Sequence, residues 1–280
     1  MPASVRHSGW VPTQRAFLAD AKPATLCWPW ENHGWERDLC RAAAPYATKT
    51  IGYQHTVIGP HQFNYATETN VDGVASLPDM IACDGPAYRD ELAAWGAPAD
   101  RLHILGALRF TRRAPAYDPD GAIFVPLSAI RTAAQAQLQA AGRFADAGHM
   151  VLVKPHPMYP LPVPARTNMS ETKIGLAAQT QLKLVIFASG ASGLDAVLAG
   201  VPAVRLQVDG LISINVLPSF VDLTTTTLEN LQAVIEHPPA PVNVEWDKIL
   251  TDPDFDAWNQ LLTDAKTPLN ATSTETQARA

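Results

Sequence analysis

KLVIFASGASGLDAVLAGVPAVRLQV, residues 183–208, decides how the chain is read. Strand-type residues run into a bend of small ones, Ser189-Gly190-Ala191-Ser192-Gly193. An apolar helical pattern, LDAVLAGV, follows, and AVRLQV then reads as a second strand. Two strands joined through a helix are parallel partners of a βαβ unit. Outward from this unit the same rhythm recurs. On the N-terminal side lie the strands AIFVPL (122–127) and MVLVKP (150–155), with the helix TAAQAQLQAAGRFADAG between them, and TLENLQAVIEH (227–237) is a late helix. Further back, ATLCWPW (24–30), KTIGYQ (49–54), MIACD (80–84) and RLHILGAL (101–108) are four more strands. WERDLCRAAAPYA and AYRDELAAWGA alternate with them as helices, the second ending at Gly96 as helices commonly do. The charged, proline-bearing stretch RFTRRAPAYDPDG (109–121) interrupts the rhythm and divides two parallel sheets. The fold class is therefore α/β, with two Rossmann-like halves facing a central cleft. The competing arrangement is one doubly wound domain of the whole chain.

Composition narrows the function. Of 280 residues, 47% are hydrophobic and 17% charged, which suits two globular domains. A formal net charge of −6 leaves no basic footprint for nucleic acid. No apolar run approaches the roughly 20 residues of a membrane-spanning helix, and MPASVRHSGWVPTQ does not read as a signal peptide. Cys27, Cys40 and Cys83 are odd in number and lack metal spacing, so they read as reduced, buried thiols of a cytoplasmic protein. The final PLNATSTETQARA (268–280) is small and polar, and is expected to be a disordered tail.

In open parallel sheets ligands sit beyond the carboxyl ends of the strands. His156 lies there, clamped between Pro155 and Pro157 after the strand VLVK. It is either a rigid hydrogen-bond donor to a phosphate or sugar, or a turn histidine satisfying a carbonyl. Lys154 is a phosphate partner or a surface lysine. The bend holding Ser189, Gly190 and Ser192 lets a ligand approach the backbone, although serine is also a favoured cap. It is neither G-x-G-x-x-G nor a Walker loop.

K-P-H-P after one strand and S-G-x-S-G after the next together resemble the donor-nucleotide half of GT-B glycosyltransferases and related polymer transferases. In those enzymes an HP motif and a Ser-rich turn hold the nucleotide or its phosphate. WPWENHGWERDL (28–39), IGYQHTVIGPHQFNY (51–65), LPDMIACDGPAYRDELAAWGAP (77–98) and RLHILGALRF (101–110) look like bacterial surface-polysaccharide biosynthesis proteins. Transferases of CMP-activated acidic sugars, Kdo or sialic-acid-like, are the nearest match, over roughly residues 24–225. The resemblance implies a GT-B-like chain with an acceptor half at 1–112, shortened to four strands, and a nucleotide-donor half at 113–267. It implies a metal-independent mechanism without a cofactor, a CMP-sugar donor and a glycan or glycolipid acceptor. Peripheral membrane association stays open, although the acidic chain shows no basic or amphipathic membrane-contacting segment. The family-like pattern is Gln-His-Gly where this chain has Gln54-His55-Thr56.

In the first half, Glu31 and Glu36 flank His33 among Trp28, Trp30 and Trp35. Aromatic walls suit a sugar, and a carboxylate suits general-base or nucleophile work in glycosyl transfer. Glu31 and His55 are the candidate catalytic residues. Glu36, Gln54 and Arg109 are candidates for sugar or acceptor binding, with helix capping as the competing role of Glu36 and a solvated hinge as that of Arg109. Asp84 reads as an ordinary helix cap before Gly85-Pro86. No histidine or cysteine spacing indicates a metal. A CDP-glycerol-type polyol-phosphate transferase, a UDP-sugar epimerase of GT-B type and a non-catalytic nucleotide- or glycan-binding module are the alternatives.

Overall fold

The structure is a computed structural model describing residues 10–211 and 215–263. The proposed tail at 268–280 lies outside the described residues. After a helix α1 (Trp10–Ala21), the first half runs β1 (Thr25–Trp30), α2 (Gly34–Ala43), β2 (Lys49–Gln54), β3 (Met80–Cys83), α3 (Pro86–Ala94) and β4 (Leu102–Ile104). These strands form one parallel sheet in the order β1-β2-β3-β4. Because β1 is an edge, the alternate residues Cys27 and Pro29 face outward, and a proline without an N–H is tolerated there. Cys40 and Cys83 are buried as expected, with burial pushing the Cys40 thiol up to about 12, but Cys27 is exposed.

The second half contains β5 (Tyr117–Pro126), α4 (Arg131–Asp146), β6 (Val151–Lys154), β7 (Met169–Glu171), β8 (Leu182–Phe187), α5 (Ser192–Leu198), β9 (Ala203–Leu206), β10 (Thr224–Thr226) and α6 (Leu231–Glu236). Its six strands are parallel in the order β10-β9-β8-β5-β6-β7. Counted from β5, this is the 3-2-1-4-5-6 order of dinucleotide-binding sheets, with its reversal between β5 and β8. The fold is thus the expected pair of Rossmann-like halves, four strands facing six.

Three differences from the sequence reading have local causes. β7 and β10 are three-residue edge strands, too short for an alternation to register. β5 begins five residues before AIFVPL, through a shift in register between Tyr117 and Ala122 that accommodates Pro119. The late helix shortens to Leu231–Glu236.

The chain also returns to the first sheet after completing the second. α7 (Trp246–Ile249) and α8 (Phe255–Thr263) follow α6, and a division at 112/113 would assign them to the second half. Trp258 and Leu261 instead bury against Ile51, Met80, Ala82 and Leu105, and Trp258 meets Tyr53 edge-on at 6.2 Å. Backbone bonds from Thr251 N–H to Asp84 O and from Ala107 N–H to Thr251 O fasten the strap. Gly106 makes the crossing tight. Its φ is +85, and an added Cβ would stand 2.2 Å from Asp252 O. Gly106→Ala is therefore expected to cost about 1–3 kcal/mol and to expose the strap. Thermal denaturation and limited proteolysis within 246–263 check this; an unchanged melting point with no new cleavage would refute it.

The two halves are fused by a shared apolar cluster. It runs from Trp30, Tyr65 and Tyr88 in the first to Phe124, Phe187 and Leu194 in the second. Val57 and Ile58, just past β2, are fully buried in that cluster with Val216 and Leu217, and His61 Nδ1 accepts the Asn215 N–H at 3.0 Å.

Candidate functional site

A cleft of about 480 Å³ opens at the reversal point of the second sheet. That is within the range that holds small ligands. Ser128 follows β5, Lys154 and His156 end and follow β6, and Ser189, Gly190 and Ser192 follow β8; all line it. Thr56 and Arg109 line it from the side of the first half. The two sequence motifs of the second half therefore share one cavity.

His156 is held in a defined state. Its Nδ1 accepts the Met158 N–H at 3.3 Å, and the Tyr159 ring stacks on it at 5.9 Å. In the neutral ring the proton then belongs on Nε2, which leaves an N–H free to donate to a ligand oxygen. Gly190 takes φ +88, which favours glycine. Ser189 Oγ lies 3.1 Å from Ser128 Oγ, so two strand ends present paired hydroxyls. The buried Gln137 on α4 sets the Ser128 turn by accepting its N–H at 2.8 Å and donating to Pro126 O at 2.7 Å.

Ser128 was missed in the sequence because PLSAI carries no glycine signature, although its place directly after a strand could have flagged it. Asp195 was missed too. It lines the cleft from the first turn of α5, ion-pairs with Arg113 at 2.8 Å, and burial raises its pKa while the Arg113 charge pulls it back.

At the carboxyl edge of the first sheet, register places Trp30 beside Gln54 and Tyr53 beside Ala82. Glu31, His55 and Asp84 therefore follow the ends of three adjacent strands. Asn32 turns the chain with φ +56, a conformation that asparagine tolerates. Its amide donates to Asn64 O at 2.7 Å, and Asn64 donates to Glu31 O at 2.7 Å. The elbow aims Glu31 at two imidazoles: Oε2 lies 2.8 Å from His33 Nε2 and Oε1 lies 3.4 Å from His55 Nε2. The carboxylate is one-third exposed.

Glu36 and Gln54 are placed differently from the expectation that they bind sugar. Glu36 is 1% exposed, and its oxygens accept the N–H groups of Glu31 and His33. It completes the cap of α2, the competing role, because buried amides at a helix start need acceptors. Burial raises its pKa, and those two N–H groups oppose the rise. Gln54, also 1% exposed, accepts the Asp84 N–H at 3.0 Å and donates to Thr56 O at 2.9 Å. It stitches the ends of β2 and β3 together. Arg109 does reach the cleft, and its Nη1 donates to His55 O at 3.2 Å, linking the cavity to the Glu31 cluster.

Asp84 is not a helix cap. Gly85 holds that position, and Asp84 Oδ2 is buried without a hydrogen-bond partner. Burial pushes its pKa up to about 8, with the Arg109 charge opposing. Among the described residues, no group of three His, Cys, Asp or Glu side chains is arranged to hold a metal ion. No helix among them is long and apolar enough to cross a membrane.

No family model and no curated protein matches the chain. Solved structures do. MnaA of S. aureus, solved with UDP, superposes at a TM-score of 0.57 with 10% identity, over 98% of this chain and 82% of its own. The UDP-GlcNAc 2-epimerase of Neisseria meningitidis bound to UDP-GlcNAc gives 0.53 with 10% identity, over 89% and 76%. The glycotransferase of kitacinnamycin gives 0.48 with 14% identity; this chain spans 72% of itself and 63% of that one, a likeness too shallow to carry weight. At such identities the likeness establishes the shared two-half fold of GT-B type.

Proposed function

We propose that the protein is a GT-B-type glycosyltransferase acting on a nucleotide-activated sugar. The observation that carries this reading is the convergence of Ser128, Lys154, His156, Ser189, Ser192 and Arg109 on one cleft at the reversal point of the second sheet. Hydroxyls, an imidazole N–H and two cations are the donor set an anionic phosphate group needs. As the bond from sugar carbon to phosphate oxygen breaks, its electron pair passes to that oxygen, and His156, Lys154 and Arg109 stabilise the growing charge. Glu31 takes the proton of the acceptor hydroxyl as the new bond forms, while His33 and His55 hold its carboxylate in place. On this reading no metal is required, since protein cations neutralise the leaving group.

The donor we propose is a CMP-activated acidic sugar, passed to a glycan or glycolipid of the bacterial surface, with the chemistry in the cytoplasm. Arg109 supports an acidic sugar. It lines the cleft and bonds to His55 O of the Glu31 cluster, where a sugar carboxylate would add charge beyond the phosphate. The second reading is a UDP-sugar enzyme of the epimerase kind, favoured by the fold likeness to proteins solved with UDP and UDP-GlcNAc.

Calorimetry with CMP, CDP and UDP separates them. CMP is expected to bind the wild type most tightly, and His156→Ala to lose roughly 10–100-fold in affinity, as for one hydrogen bond to a charged group. Tighter binding of UDP transfers the assignment to the second reading. Equal affinity of wild type and variant for every nucleotide removes His156 from the site.

A further inference from the structure

Both main-chain polar groups of Glu31 are held by side chains. Its N–H goes to the Glu36 carboxylate at 3.1 Å, from within α2. Its carbonyl O accepts the side-chain amide of Asn64 at 2.7 Å, from the loop after β2. Asn32 answers in the other direction, donating its amide to the main-chain O of Asn64 at 2.7 Å, where Arg37 Nη2 also donates, at 2.6 Å. The two asparagines form a reciprocal clasp. Asn32 is 2% exposed and sits at φ +56. A non-glycine residue in that region costs free energy and persists only where its surroundings over-determine it. Bonds from α2 and from the loop do so here.

The loop that delivers Asn64 is itself anchored. Residues 55–79 join β2 to β3. At Gly59 the second half passes so close that an added Cβ would stand 2.5 Å from Asn215 O, and the Asn215 N–H is donated to His61 Nδ1 at 3.0 Å. Gln62 folds back to accept the Gly59 N–H at 2.8 Å. Beyond Asn64, the Thr67 N–H is donated to Trp95 O, just past α3, at 3.0 Å. Asn64 is therefore a fixed point referenced to both halves. Thr56 of the same loop lines the nucleotide cleft, whereas Asn64 does not.

We propose that Asn64 is a positioning residue for Glu31, whose amide fixes the Glu31 main chain so that the carboxylate stays between the His33 and His55 imidazoles. This deepens the proposed function and rests on the assignment of Glu31 as the base. The Asn64 side chain bonds the main chain of Glu31 and not its carboxylate, so it acts through geometry and not through proton transfer. A misplacement of about 1 Å costs on the order of a hundredfold in rate, which sets the scale of the effect.

Asn64→Asp removes the donor at constant size and turns an acceptor toward the Glu31 carbonyl; Asn64→Ala is the uncharged second variant. Each is expected to lower turnover of the nucleotide-sugar selected by calorimetry roughly 10–100-fold, with nucleotide affinity unchanged. Combined with Glu31→Gln, neither should slow the enzyme beyond Glu31→Gln alone, since a residue that works through Glu31 then has no base to position. A further tenfold loss in the double variants overturns the proposal. Nitrogen NMR of isotope-labelled histidine reads the clasp without any substrate. The His33 and His55 ring signals, assigned with His33→Gln and His55→Gln, are expected to move in Glu31→Gln and in both Asn64 variants, while that of His156 stays in place. Unchanged His33 and His55 signals in the Asn64 variants overturn the proposal whatever the turnover. If Glu31→Gln keeps wild-type turnover, the base assignment fails, and the histidine signals still decide whether Asn64 aims this carboxylate.

Discussion

Glu31→Gln is expected to lower turnover of the nucleotide-sugar selected by calorimetry by about 10²–10⁴-fold, the usual contribution of a positioned general base, with nucleotide affinity unchanged. The amide keeps the size and can still meet His33, but it cannot take a proton. Glu31 lies outside the lining of the nucleotide cleft, which its cluster meets through Thr56, next to His55 in the chain, and through the Arg109 bond to His55 O. Affinity and turnover should therefore separate cleanly. Glu36→Gln is the matched control, because the carboxylate of Glu36 accepts backbone N–H groups at the start of α2. It should cost about 1 kcal/mol of stability and little turnover in the protein that remains folded. If Glu31→Gln retains more than about a tenth of wild-type turnover, Glu31 is not the base.

Asp84→Asn is expected to stabilise the protein, and to do so more as pH rises. Burial holds the folded-state pKa of Asp84 near 8, against an ordinary value of 3.8. The native state then keeps a proton that the unfolded chain releases, so stability falls as pH climbs from about 4 towards 8 and levels off above it. At about 1.4 kcal/mol per pKa unit, the ceiling of this loss is about 6 kcal/mol. Relaxation around the site reduces it, and a gain of about 2 kcal/mol for Asn at pH 8.5 is expected, or several degrees in melting temperature. At pH 4 the two proteins should melt nearly together. A variant less stable than wild type at pH 8.5 would mean that Asp84 is ionised and stabilised by Arg109.

Local pattern revealed much of this protein, for reasons visible in particular residues. β8 and α5 were legible because a buried parallel strand is a continuous apolar run, and a helix repeats its apolar face every three to four residues. His156 and Ser189 stood out because a parallel sheet delivers ligands to its carboxyl edge whatever the rest of the chain does. The division into halves followed from one charged, proline-bearing break.

Other features depend on partners distant in the chain. Glu36 and Gln54 look like ligand groups in sequence, yet each turns inward to backbone amides that only the folded elbow and the neighbouring strand supply. Asp84 has the type and place of a cap and lacks the bond, because the turn to α3 is made by Gly85. Trp258 covers the first sheet from far downstream, a contact decided by which apolar face remained uncovered. Periodicity and strand-end chemistry are properties of neighbouring residues and are written in the sequence. Burial and the partner of each polar atom are properties of the packed whole, since the energy of a side chain is set by what surrounds it.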